Sequence, residues 1–209
     1  MVVDNGSSKE EQKQLEFWKQ KGLIDFLVLL PENTGTSFPR KLVHQQALKL
    51  GLSQYVLSDN DLLPCVGWLE SLREALASNK KLGAVSLRLW HQFVLEGRNE
   101  RGLTYTPVLG NVFKLVKTEA VSGFFEKENL PRYGDDGALG HYLKKNNWQS
   151  AFLNDKWCYN LEPTKENWGY TEEQIKQDER RNETYPKPPT YEPEDWESFK
   201  PKFLKEVKN

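Results

Sequence analysis

Through the first 89 residues, short apolar runs alternate with amphipathic stretches, and each of the first three runs gives way to a cluster of polar or acidic residues. Met1-Val2-Val3 stops at Asp4-Asn5-Gly6-Ser7. Phe26-Leu27-Val28-Leu29-Leu30 stops at Pro31, ahead of Glu32-Asn33-Thr34-Gly35. Gln54-Tyr55-Val56-Leu57-Ser58 stops at Asp59-Asn60-Asp61. Between them, 9–22, 39–50 and 65–78 carry apolar residues at helical spacing; in the last, Trp68, Leu69, Leu72, Ala75 and Leu76 share a face. A further apolar strand spans 82–89. Strand, helix, strand in this order predicts an α/β fold, with a mostly parallel central sheet flanked by helices on both faces. Further on, 108–116 reads as a strand, 135–146 as a helix and 150–161 as one or two strands. His44 is expected on the surface of its helix.

At 209 residues the chain suits one domain with an appendage. The division falls near residue 161: of the 48 residues in 162–209, 21 are charged, 6 are proline and 7 aromatic, with Ile175, Leu204 and Val207 the aliphatic ones. Such a segment cannot bury enough apolar area to fold alone. It reads as an extended aromatic- and Pro-rich strap pinned to the body of 1–161, or as a mobile tail. A net charge of −1 removes the electrostatic case for a nucleic-acid partner. No uncharged apolar run is long enough for a transmembrane segment, and the N-terminus lacks the basic and apolar regions of a signal peptide. Cys65 and Cys158 lack metal-site spacing and read as reduced thiols, which points to a cytoplasmic protein.

In an open α/β sheet a ligand binds beyond the carboxyl ends of the strands, where the three polar clusters fall. Asp59 and Asp61, two residues apart after a strand, project to one side if the backbone stays extended. Two hard oxygen donors with room for water and phosphate suit Mg²⁺ or Mn²⁺ held jointly with a diphosphate. The plainer alternative is a turn in which Asp61 caps the following helix.

The ordered motifs Val2-Val3-Asp4-Asn5-Gly6-Ser7, Pro31-Glu32-Asn33-Thr34-Gly35, Arg40, and Tyr55-Val56-Leu57-Ser58-Asp59-Asn60-Asp61 with Gly67-Trp68-Leu69 are followed by Gly110-Asn111-Val112-Phe113-Lys114, Ser122-Gly123-Phe124-Phe125-Glu126 and Tyr133-Gly134-Asp135-Asp136. Together they resemble family 2 glycosyltransferases of the GT-A fold, over nearly all of 1–161. The resemblance implies a nucleoside-diphosphate-sugar donor (UDP-, GDP- or dTDP-sugar), a glycan or other hydroxyl acceptor, and a divalent cation, Mn²⁺ or Mg²⁺. It places Asp4, Asn5, Asn33, Arg40, Asp59, Asn60 and Asn111 at the donor, and Asp59, Asp61 and Asn160 at the metal. Asp136 falls where inverting members hold the general base, with Asp135 as its substitute. Either carboxylate could equally cap the helix it begins. Trp90 and His91 open a loop that is either an acceptor-binding wall or an ordinary surface loop.

The family's first strand and its following loop are absent here, which leaves a sheet edge for a homodimer or the strap to cover. Asn160 stands near the position of a metal-binding histidine and is a poorer ligand. Two alternatives to an inverting transferase remain: a retaining enzyme with the same donor site, and a non-catalytic module that binds sugar nucleotides or assists assembly.

Overall fold

A computed structural model describes residues 1–89, 98–110 and 112–160. Trp90, His91, Asn111 and the 162–209 strap lie outside the described residues. In chain order the elements are β1 (Val2–Asp4), α1 (Lys9–Gln20), β2 (Leu27–Leu29), α2 (Ser37–Lys49), β3 (Gln54–Leu57), β4 (Leu62–Pro64), α3 (Trp68–Ser78) and β5 (Leu82–Leu89). There follow β6 (Arg98–Glu100), β7 (Leu103–Tyr105), β8 (Lys114–Lys117), α4 (Thr118–Phe125), α5 (Asp135–Lys145) and β9 (Gln149–Asn160). The result is an α/β fold with a central sheet flanked by helices, as the alternation predicts.

The sheet is mixed rather than mostly parallel. β1 and β2 pair parallel as a separate two-stranded unit, with Val3 opposite Val28. The larger sheet runs β3-β8-β5-β9-β7-β6, and β8 lies antiparallel to both β3 and β5, while β5 and β9 are parallel. A parallel neighbour needs a long crossover, usually a helix, whereas an antiparallel one does not. Between β5 and β8 the described chain forms the β6–β7 hairpin and no helix, so β8 returns against its neighbours. The strand expected over 108–116 is confined to Lys114–Lys117. Ala120, Val121, Phe124 and Phe125 then fold as the buried stripe of α4. The helix expected from residue 65 starts at Trp68, because Leu62–Pro64 is taken up as β4 against β9.

Alternation along β5 and β8 sorts the core into two layers. Ala84 and Val116 join Phe124, Phe125, Leu139 and Leu143 under α4 and α5. Val85 and Leu115 face the other way, with Leu72 and Leu76 of α3, Leu87 and Ala151. β5 is buried on both faces, and Leu82, Ala84, Val85 and Leu87 have no exposed surface. His44 departs from its expected surface position. It is 1% exposed, its Nδ1 lies 2.9 Å from the Tyr55 hydroxyl, and its ring stacks on Phe125. Burial lowers its pKa against an opposing pull from Glu126, and burial also pushes the Tyr55 phenol well above its usual value.

Candidate active site

The loops after β1 and β2 are stitched into one ledge. Asn5 Oδ1 accepts from the Thr34 N–H and hydroxyl, both at 2.9 Å, and Asn5 Nδ2 donates to the Gly35 carbonyl at 2.9 Å and Asn33 Oδ1 at 3.3 Å. Asn33 Oδ1 also accepts from the Gly35 N–H. The loops approach so closely that a Cβ on Gly6, which has φ +83°, would sit 2.5 Å from the Glu32 carbonyl carbon. Gly35, at φ +86°, likewise has the Arg132 carbonyl oxygen 2.2 Å from where its Cβ would be. Asp4 is buried at the end of β1, where Oδ2 accepts from Gln12 Nε2 at 2.9 Å and from the Ser7 N–H at 3.2 Å. Burial acts to raise the Asp4 carboxyl, but the hydrogen bonds from Ser7, Gln12 and Gly6 prevail and hold it below the usual carboxylate range. The side chains expected to meet the nucleotide thus also build the ledge.

Beside the ledge, the loop after β3 faces the first turn of α5. Arg40, on α2, joins them: NH2 donates to Asp59 Oδ1 at 2.8 Å and NH1 to Asp135 Oδ2 at 2.5 Å. Asp135, 5% exposed, also accepts from the Thr36 hydroxyl at 2.6 Å. Arg40 thus pairs with two carboxylates at once, between the loop after β3 and the start of α5. Burial works against its charge, but Asp135, Asp59 and Asp136 together raise its pKa. Asp136, the next residue of α5, takes its cation from the sheet: Lys114 Nζ on β8 lies 3.1 Å from Asp136 Oδ1. The Lys114 side chain is 1% exposed and that of Asp136 is 33% exposed. Burial lowers the Lys114 pKa, with Asp136 opposing. Neither carboxylate caps α5, whose N-cap is Gly134 with no side-chain bond.

Asp59, half-exposed, is raised above the usual carboxylate range, first by desolvation and then by the fields of Asp136 and Asp61, against the pull of Arg40. Asp61 is partly buried and Asn60 exposed. The β4–β9 register sets the Asn160 backbone opposite Leu62, the residue after Asp61. Four carboxylates (Asp59, Asp61, Asp135 and Asp136) thus stand with two cations, Arg40 and Lys114. Two negative charges remain, which is what a divalent cation neutralises. No group of three or more His, Cys, Asp or Glu side chains among the described residues could hold a metal. Asp59 and Asp61 could supply only part of the shell of such an ion, and the rest would have to come from phosphate oxygens and water, as is usual for Mg²⁺.

Four further residues take part to which no role was assigned from the sequence: Thr36, Gln12, Arg132 and Lys114. Arg132 donates to the Asn33 carbonyl at 2.8 Å, and its own carbonyl accepts from the Thr36 N–H, which ties the segment before α5 to the ledge. Lys114 alone carried a sequence signal, a charge inside the apolar stretch Val112-Phe113-Lys114-Leu115-Val116.

No protein-family profile matches the sequence, and no curated protein does. Solved structures do match. GalNAc-T7, solved with UDP, GalNAc and Mn²⁺, superposes with a TM-score of 0.59 at 13% identity over 76% of this chain. The mannosyltransferase PcManGT from Pyrobaculum calidifontis, in complex with GDP-Man and Mn²⁺, gives 0.56 at 17% identity over 90%. TarS from S. aureus gives 0.50 at 15% identity over 87%. The chain spans 36%, 55% and 32% of these proteins respectively. At such identities the likeness establishes the fold, a GT-A-like one shared with glycosyltransferases.

Proposed function

We propose that this protein is a glycosyltransferase that moves a sugar from a nucleoside diphosphate to an acceptor hydroxyl with inversion at the anomeric carbon. The observation that carries this reading is the meeting of two carboxylate pairs, Asp59/Asp61 after β3 and Asp135/Asp136 at the start of α5, in one cluster bridged by Arg40. Glycosyl transfer passes through an oxocarbenium-like centre, so it needs stabilisation of the leaving group on one face of the sugar and a base on the other. A divalent cation on Asp59 and Asp61, with Asn160 nearby, would supply charge stabilisation to the departing diphosphate. The ledge built by Asp4, Asn5 and Asn33 would seat the nucleoside. Asp136 would accept the proton of the acceptor hydroxyl as that oxygen attacks. Asp135, buried between Arg40 and Thr36, orients the start of α5 instead of reacting. The solved neighbours that carry UDP or GDP-Man together with Mn²⁺ support this reading.

The test is a thermal-shift titration of the full chain with UDP-, GDP- and dTDP-sugars, with and without Mn²⁺. A ligand at 100 times its Kd stabilises the native state by about 2.7 kcal/mol. One donor should raise Tm in a cation-dependent way, and Asp61→Ala should abolish the cation-dependent part. Asp136→Asn should lower release of nucleoside diphosphate from that donor by about 100-fold or more, with donor affinity kept. Unchanged turnover in Asp136→Asn, or a donor shift indifferent to both Mn²⁺ and Asp61, would overturn the assignment. Product anomer analysis by NMR decides inversion against retention.

A further inference from the structure

A lysine with its side chain 1% exposed is an unusual way to fill a core position. Taking an ammonium out of water costs several kcal/mol, and a buried ion pair often does no better for stability than apolar side chains of similar volume. Lys114 lies on β8 beside Leu115 and Val116, both buried. Among the described residues, Nζ donates to Oδ1 of Asp136, while Oδ2 accepts no hydrogen bond. The carboxylate is one-third exposed and stands near Asp59 and Asp135. Without a fixed partner it is free to rotate into water or toward any cation bound at Asp59 and Asp61.

We propose that Lys114 is a positioning residue: it holds Asp136 by Oδ1 from the sheet, so that Oδ2 is the oxygen presented to the acceptor hydroxyl. This inference rests on Asp136 being the base. It assigns Lys114 no contact with substrate; its effect passes through the orientation of one carboxylate. Asp135 has its own cation in Arg40, so each of the two adjacent carboxylates at the start of α5 is anchored by a different element, α2 for one and β8 for the other.

The experiment is a double-mutant cycle on the full chain with Mn²⁺. Its readout is nucleoside diphosphate release from the UDP-, GDP- or dTDP-sugar that gives the largest thermal shift, with water as acceptor. Lys114→Met should lower kcat about 10- to 100-fold, the scale of a misplaced catalytic group, with KM within about twofold and Tm unchanged or raised. Combined with Asp136→Asn it should add nothing, because both changes remove the same oriented carboxylate. Lys114→Gln, shorter and neutral but polar, repeats the test if the methionine variant does not fold. A higher KM at unchanged kcat, or a double variant slower than Asp136→Asn alone, would overturn the proposal. So would wild-type turnover in Lys114→Met while Asp136→Asn is impaired, which leaves Asp136 as the base and removes only the role of Lys114. If Asp136→Asn itself turns over normally, it is the base assignment that fails.

Discussion

At the scale of single residues, the two ion pairs of the site behave differently because their carboxylates differ in burial. Asp135 is 5% exposed and Asp136 33%. Arg40→Met leaves Asp135 charged, buried and short of its cation, and it should destabilise the fold by about 3–5 kcal/mol in urea unfolding. The carboxylate left behind by Lys114→Met can hydrate, so no comparable loss is expected. His44 carries a separate pH dependence. Burial holds its folded-state pKa below the usual value, so the unfolded chain binds the proton more readily. Stability is therefore complete above about pH 6.5 and falls as pH drops below that value, until the folded-state pKa is reached. Tm measured from pH 7.5 to 5 should decline in the wild type, and less in His44→Gln. That His44 lies in the core was not legible in the sequence: on α2 it shares a stripe with Ala47, and only the arrival of Tyr55 and Phe125 closes over it.

At the scale of elements, most helices and strands followed from apolar periodicity. β5 spans the same residues that its apolar run predicts, and α1, α2 and α5 differ from expectation mainly by a residue or two at their ends. The errors cluster between residues 98 and 125, where β6 carries no apolar residue and β7 and β8 are not closed by the polar clusters that mark the equally short β1, β2 and β3. α4 was not expected from the sequence. The polar loops at the strand ends were legible in the sequence, but their mutual bonding was not, because it links residues 28 to 99 positions apart. The Asn5–Asn33–Gly35 ledge gives a further prediction. Gly35→Ala forces a Cβ into the Arg132 carbonyl at a left-handed position, and it should cost about 2 kcal/mol or more in denaturant unfolding and weaken donor binding in the thermal-shift assay.

At the scale of the whole molecule, two apolar layers lie on the two faces of the larger sheet. Leu72, with no exposed surface, lies in the layer under α3. Leu72→Ala should cost about 2–5 kcal/mol, seen as a lower urea midpoint at unchanged slope. Among the described residues no helix is long and apolar enough to cross a membrane. The sequence by itself determined the α/β class and the placing of acidic and amide residues at the ends of the first three strands, because these depend on local periodicity and on where apolar runs stop; Asp135 and Asp136 were named by the resemblance of ordered motifs. Only the tertiary structure decided the antiparallel return of β8, the pairing of Arg40 with two carboxylates, and the lysine paired with Asp136. Each of these depends on which strand lies beside which, a choice made by packing free energy summed over the whole sheet and written in no single segment.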